Sequence, residues 1–323
     1  MKPTLYCMCG LQASGKSTYA YGLLQNENTV IVSSDAIRKE FPEAKNDTIF
    51  KIVYSRINEN LKKGYNVVLD ATNTTIKSRR QIFLNVKEPC YKECIIMNTP
   101  YNECRERLLK RNQNCDRIYN TETGENIPNP FYVPMEILEK YYKSFEIPFY
   151  EEGWDCIEIN HLFDISDRAE YQSMINSKAR GFNQHNKHHT QDLGEHMKNA
   201  QIRLLDLYPE IDSAIAVATG LHDAGKLFTQ TFGEDGQGHY YNHANVGAYE
   251  LLTHMSLNEM TDGMTTDKTL DMLFYVNYHM HLYNIKTEKA YNKWFNIFGE
   301  EKFENLKKVH EADLYNHADE GKE

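Results

Sequence analysis

The sequence predicts an α/β unit built on a parallel sheet, followed by an all-α unit. Three observations carry that expectation. Short β-branched runs alternate with amphipathic stretches through the first half of the chain. The β pattern stops after Asn160, and the rest reads as helices interrupted by Gly and Asn.

The expected strands are, in order, "PTLYCMC", "TVIVSS", "NVVLDAT", "ECIIMNT" and "CIEIN". Between them lie helical patterns such as "DTIFKIVYSRINENLKKG", whose apolar residues recur at helical spacing and which closes on a glycine. Alternation of this kind predicts parallel strands covered on both faces. In the second half the expected helices are "EIDSAIAVATGLHDAGKL", "HANVGAYELLTHM", "TTDKTLDMLFYVNYHMHLY" and "EKFENLKKVHEADLYNHA". The boundary is placed near Phe163, giving domains 1–162 and 163–323, with "ARGFNQHNKHH" as a connection.

A chain of 323 residues is long enough for two domains that each bury a core. With 25% charged and 41% apolar residues its composition is globular. No apolar run approaches the roughly 20 residues of a membrane span, and the N-terminus lacks a signal-peptide pattern. A soluble, cytoplasmic protein with no membrane partner is expected. Seven cysteines are scattered without metal-ligand pairs, and Cys7 and Cys9 alternate along a strand, as buried thiols in a reducing compartment do. The net charge of −10 argues against bulk electrostatic binding of nucleic acid. The acidity lies in the second half: residues 1–165 carry 21 Lys+Arg against 22 Asp+Glu, residues 166–323 carry 15 against 24. A local basic groove in the first half stays compatible with the total.

The first chemistry follows the first strand. Gly10, Gly15, Lys16 and Ser17 in "CGLQASGKSTYA" fit G-x-x-x-x-G-K-[ST]. The glycines let the loop curl so that backbone N–H groups face phosphate oxygens. Lys16 neutralises the β/γ charge of ATP, the Ser17 hydroxyl can hold Mg²⁺, and Thr18 completes the nucleotide-binding set. A helix opening at Gly15 adds its positive end. Asp35 and Arg38 in "VSSDAIRKE" follow the second strand at the carboxyl end of the sheet, where such folds collect substrates. Asp35 suits a base for an attacking hydroxyl, and Arg38 a contact to an acceptor phosphate. The plainer role for Asp35 is a helix cap. Asp70, ending the third strand, can hold a magnesium-bound water or orient the acceptor. Arg107 and Arg111 in "YNECRERLLKRNQN" are spaced i,i+4 and share a helix face, as a lid over ATP requires; Arg111 is favoured.

Together with "DATNTTIKSRR", "ERLLKRN" and "EEGWD", these residues resemble the kinase domain of phage-type polynucleotide 5′-kinases over most of residues 1–160. The resemblance implies transfer of the ATP γ-phosphoryl group to a 5′-hydroxyl, with Lys16, Ser17, Asp35, Arg38 and Arg111 in matching roles. One departure is a long lid, "NCDRIYNTETGENIPNPFY", in which Arg117 could replace or supplement Arg111. Zeta-toxin and small-molecule kinases share the loop and an Asp near this position.

The helical half carries most of the 13 histidines. In "GLHDAGKL", His222 and Asp223 are adjacent, with Lys226 close behind. Further candidate ligands sit on other expected helices: His196, His243, His279 or His281, and Asp313. This array resembles the HD phosphohydrolase superfamily. The resemblance implies one divalent metal on His196, His222, Asp223 and Asp313, with His243 and His279 extending the set to two. Imidazole and carboxylate together suit Mn, Ni, Co, Fe or Zn. Such a metal would acidify a bound water and polarise a phosphoryl oxygen, with Lys226 stabilising the charge that develops. His188 and His189 are candidate substrate contacts or a helix-capping turn.

Two phosphate-handling sites in one chain suggest one substrate, the broken end of RNA or DNA. The first half would phosphorylate a 5′-OH; the second would remove a 3′-phosphate or 2′,3′-cyclic phosphate; an RNA or DNA ligase would act next. Two rivals stand beside this reading. One is a small-metabolite or nucleotide kinase fused to an HD nucleotidase or phosphodiesterase, which the acidic second half favours; the other is a nucleotide sensor without turnover.

Overall fold

A computed structural model describes residues 2–25, 28–112, 117–120, 125–128, 132–160, 168–185, 191–254 and 265–318. It forms two compact units, Met1–Tyr142 with Gly153–Phe163, and Lys143–Glu152 with Asp164–Glu323.

The first unit runs β1 (Thr4–Cys9), α1 (Lys16–Leu23), β2 (Thr29–Ser33), α2 (Ser34–Glu40), α3 (Asn46–Lys62), β3 (Asn66–Asp70), α4 (Ile76–Asn85), β4 (Tyr91–Met97), α5 (Tyr101–Asn112), β5 (Arg117–Asn120), β6 (Glu125–Pro128), α6 (Met135–Lys143) and β7 (Cys156–Asn160). Five strands pair in the order β2-β3-β1-β4-β7, all parallel, as the alternating pattern predicts. The central strands are near-continuous apolar runs because helices cover both faces: Leu5, Cys7, Met8 and Cys9, then Val67–Leu69 and Ile95–Met97, are buried. Helix α3 buries Ile49, Val53, Ile57 and Leu61, one stripe at helical spacing, and the chain leaves it through Gly64 at φ 85. Each such buried aliphatic side chain contributes about 1.5–3 kcal/mol. A Thr75–Ser78 capping box starts α4.

Strand β1 lies between β3 and β4, while its sequence neighbour β2 lies beyond β3. The crevice at this reversal opens beside the carboxyl end of β1, where a ligand binds in sheets of this kind. The segment read as a lid contains an antiparallel pair, β5 with β6.

The second unit runs α7 (Arg168–Ala179), α8 (Leu193–Leu207), α9 (Ser213–Thr219), α10 (Lys226–Thr229), β8 (Thr231–Phe232), β9 (Gly238–His239), α11 (His243–His254), α12 (Thr266–Tyr278), α13 (Glu288–Phe298) and α14 (Glu300–Ala318). It departs from the expected helices in three places. "EIDSAIAVATGLHDAGKL" is not one helix, because α9 stops at Thr219 and the His222–Asp223 doublet sits in a turn before α10. Helix α12 likewise ends at Tyr278, and His279–Asn284 form a 3₁₀ turn. The strands β8 and β9 close a small hairpin where only helix was expected.

Residues Lys143–Glu152 supply apolar side chains to this helical unit. The Phe149 ring meets Phe274, Tyr278 and Phe298 edge-on at 5.0, 5.8 and 5.7 Å. The Ile147 N–H donates to Asn277 Oδ1 at 2.8 Å, and Asn277 Nδ2 donates to the Phe145 carbonyl at 3.3 Å. A buried asparagine thus satisfies backbone that periodicity alone left among the first domain's residues. Among the described residues no helix is long and apolar enough to cross a membrane.

Candidate functional sites

The first site grows from the loop after β1. Ala13 (φ 61) and Gly15 (φ 93) are left-handed, which turns the loop back on itself. The Gly10 N–H donates to the Thr72 carbonyl at 2.9 Å, and Asn73 Nδ2 donates to the Met8 carbonyl at 2.8 Å. Thr72 and Asn73 therefore tie the ends of β3 and β1 together. A Cβ at Gly10 would lie 2.8 Å from Ser14 Oγ and 2.9 Å from Met97 Cβ, so glycine is required by close approach.

Lys16 is buried and folds back to donate to the Leu11 carbonyl. Burial lowers its pKa, while Asp70 and, more weakly, Asp35 pull it up. Ser17 Oγ donates to Asp70 Oδ2 at 2.8 Å, which joins a hydroxyl and a carboxylate as a Mg²⁺ site needs. Thr18 is exposed at the start of α1. Asp35 is not the cap of α2: Ser33 Oγ accepts from the Ala36 N–H at 3.3 Å, leaving the Asp35 side chain 85% exposed. Arg38 Nη1 lies 3.1 Å from Asp35 Oδ1, Nη2 donates to Asn46 Oδ1 at 2.8 Å, and the guanidinium stands 5.9 Å from the Phe50 ring centre. Arg107 pairs with Glu103 at 2.7 Å and reaches the loop at the Ala13 carbonyl, 3.5 Å away. Desolvation lowers the Arg111 pKa and Asp35 opposes it, so Arg111 stands within the field of that carboxylate. Lys16, Asp35, Arg38, Asp70, Arg107 and Arg111 thus gather around one crevice. The Arg117 side chain lies outside the described residues.

The second site is assembled inside the helical unit. His196 comes from α8, His222 and Asp223 from the turn after α9, His243 from the first position of α11, His279 from the start of the 3₁₀ turn after α12 and Asp313 from α14. All six are buried. Asp223 is the hub. Its Oδ2 lies 3.3 Å from His196 Nε2, 3.4 Å from His222 Nε2 and 2.7 Å from Lys226 Nζ. Its Oδ1 faces the other way, 3.1 Å from His243 Nε2 and 3.6 Å from His279 Nε2. Asp313 Oδ1 closes the first cluster, 3.1 Å from His196 Nε2 and 3.3 Å from His222 Nε2. The two imidazole sets therefore share one carboxylate, a layout with room for one cation on each oxygen.

Local backbone aims the rings. The Nδ1 atoms of His222, His243 and His279 lie 2.7, 2.8 and 2.8 Å from the carbonyls of Thr219, Tyr240 and Val276. A carbonyl only accepts, so each Nδ1 carries a proton and Nε2 is the ring atom turned toward the centre. Close approach of α10 and α11 brings His243 to Asp223. A Cβ on Gly225 would collide with the His243 carbonyl, which only glycine avoids. Asp313 is fixed by Tyr283, whose hydroxyl donates to Oδ2 at 2.6 Å. His281 turns away and packs edge-on against Trp294 at 4.6 Å, so of the pair His279 or His281 it is His279 that joins the cluster.

The donor set fits a divalent ion. His196, His222 and Asp223 form one group with mutual spacing suited to a metal, and Asp223, His243 and His279 form a second. The buried His222 Nε2 makes no hydrogen bond among the described residues. Burial opposes the charge on Asp223, yet Lys226 and His222 hold its carboxyl well below the usual range. Burial likewise opposes charge on His196, but bonds to Asp223 and Asp313 raise its pKa to about 9. Two buried carboxylates call for balancing positive charge, which a divalent ion at these donors would supply. Lys226 is also bonded to Gln184 Oε1 at 2.8 Å. Gln184 and Tyr283 are contacts that motif reasoning missed: one sits in a stretch read as a connection, the other four residues past His279 in a stretch read as helix. His188 and His189 lie outside the described residues.

Residues 5–148 match the family model of an AAA domain. An L-seryl-tRNA(Sec) kinase of Methanococcus maripaludis is 28% identical over 182 residues, 53% of this chain and 63% of that protein. A protein of Acanthamoeba polyphaga mimivirus named "Putative bifunctional polynucleotide phosphatase/kinase" is 30% identical over 168 residues, 51% of this chain and 35% of that one. A chain of the solved Pnkp1/Rnl/Hen1 RNA repair complex is 27% identical, covering 43% of this chain and 42% of its own, with a TM-score of 0.35. The chain thus spans less than two thirds of the length of each of these three. The matched segment takes in the phosphate loop and the strands β1–β4 of the parallel sheet, and the N-terminal unit is a P-loop kinase-like α/β domain.

Proposed function

We propose that this protein heals broken nucleic-acid ends, phosphorylating a 5′-hydroxyl in its first unit and removing a 3′-phosphate or 2′,3′-cyclic phosphate in its second. The observation that carries the reading is the coexistence in one chain of a phosphate-loop motif, with Asp35 and Arg38 paired nearby, and a buried cluster in which two imidazole sets share Asp223. The mimivirus relative, whose name joins phosphatase and kinase on polynucleotides, supports the same pairing.

In the first unit Ser17 and Asp70 would hold Mg²⁺, with Gly10, Gly15, Lys16 and Thr18 around the ATP phosphates. Asp35 takes the proton from the attacking hydroxyl, Arg38 positions the acceptor, and Arg107 and Arg111 balance charge on the transferred group. In the second unit, read as an HD-type domain, His196, His222, Asp223 and Asp313 would hold one divalent ion, and His243 and His279, sharing Asp223, a second. A divalent ion there supplies Lewis acidity toward a phosphoryl group. Lys226 steadies negative charge beside it. An RNA or DNA ligase is the partner such ends imply.

The test uses RNA with a 5′-OH and a 2′,3′-cyclic phosphate, incubated with ATP and each of Mn, Ni, Co, Fe and Zn. Transfer of labelled phosphate to the 5′ end and loss of the 3′-terminal phosphate are expected. The archaeal relative's name favours a second acceptor, the hydroxyl of a seryl group. Transfer to serylated RNA or to a small hydroxyl compound, with none to the 5′-OH, replaces the first reading.

A further inference from the structure

Gln184 precedes α8 and is 1% exposed, yet one end of its amide has no partner among the described residues. Lys226 Nζ lies 2.8 Å from Oε1. An ammonium has no lone pair, so the atom facing it must be the carbonyl oxygen. That fixes the flip and leaves Nε2 at the other end, a buried donor with no hydrogen bond among the described residues. A buried donor left unbonded forfeits its hydration without a replacement bond.

The position is held deliberately. The Gln184 backbone carbonyl accepts from Tyr240 Oη, and the next residue's carbonyl accepts from the Gly238 N–H at 2.8 Å. Tyr240 Oη in turn accepts from Gln230 Nε2 at 2.8 Å. The β8–β9 hairpin therefore clamps Gln184 against Lys226, which itself touches Asp223 Oδ2 at 2.7 Å. An ammonium, held by Gln184 Oε1 and Asp223 Oδ2, and the amide N–H of the same glutamine thus lie close together and buried, and the amide N–H has no acceptor among the described residues.

We propose that Gln184 Nε2 and Lys226 Nζ form an oxyanion subsite that binds an oxygen of the phosphoryl group handled at the His/Asp centre, making Gln184 a substrate-binding residue. This rests on the reading of that centre as a metal-dependent phosphohydrolase site.

Two variants separate binding from folding. In Gln184→Glu an oxygen still accepts from Lys226, so the clamp survives, but the free end becomes an acceptor that repels phosphate. In Gln184→Met the shape is kept and both polar atoms are removed. The full chain, loaded with Co²⁺ and with its phosphate loop filled by a non-hydrolysable ATP analogue, is titrated with inorganic phosphate, read by the visible Co²⁺ spectrum. Metal content and melting temperature are measured on the same samples. Wild type should bind phosphate, and both variants should bind it about tenfold or more weakly, the scale of one hydrogen bond to a charged group. Their metal content should be unchanged, and Gln184→Glu should melt no lower than wild type. Equal phosphate affinity in all three proteins, each holding Co²⁺, overturns the subsite while leaving the metal centre standing. Failure of the wild type to hold Co²⁺ overturns the phosphohydrolase reading and the subsite with it.

Discussion

The two candidate sites are built by opposite strategies. In the first unit the residues of the loop motif, from Gly10 to Thr18, are consecutive, and their geometry comes from one strand, one turn and one helix start. In the second, the candidate ligands reach from His196 to Asp313 and arrive on separate elements. A contiguous loop can be assembled by local backbone preference. A dispersed centre exists only after the helices have packed, and every ligand depends on several others.

Four perturbations sharpen that comparison, beginning with the largest. Asp223 touches four imidazoles and Lys226, so Asp223→Ala should abolish metal retention, measured by elemental analysis after dialysis. ATP-dependent transfer by the first unit should be untouched in the same protein. Loss of both would show that the sites are not separate. Asp35→Asn should slow transfer by about 10²–10⁴-fold with ATP affinity kept, the range for a positioned general base; a kinetic constant near wild type would return Asp35 to a surface role. Tyr283→Phe removes only the hydroxyl that fixes Asp313 Oδ2. Metal affinity should fall about 10–100-fold, as for outer-shell partners generally, without loss of fold. Unchanged affinity would mean that packing alone orients Asp313. Smallest is Ser33→Ala, which deletes the α2 cap and should cost about 1 kcal/mol in denaturant unfolding. A cost near zero would show that Asp35 takes over the capping.

How far each site is legible in the primary structure follows from the same contrast. The loop motif, the parallel strands and the stripe on α3 are local patterns, and the fold places them where those patterns predict. Asp70 and its 2.8 Å contact with Ser17 already lie beyond a local reading, since 53 positions separate them. In the helical half the residue types were legible and their surroundings were not. Periodicity extended a helix through His222, whereas Gly220 and Gly225 flank a turn that lets adjacent side chains converge on one centre. His279 and His281 looked equivalent; the 3₁₀ turn sends one inward and the other onto Trp294. Gln184 had no signal at all, because a lone glutamine in a polar stretch carries no period and no spacing.

The amino-acid order by itself determined the phosphate loop, the alternating strands and helices, and the supply of imidazoles and carboxylates in the second half, because each depends on neighbours a few residues apart. Only the tertiary structure decided which imidazoles share Asp223, which tyrosine holds Asp313, and that Phe145–Phe149 complete the helical core. Those outcomes rest on packing and on the need to pair every buried polar group, conditions that involve residues far apart in the chain.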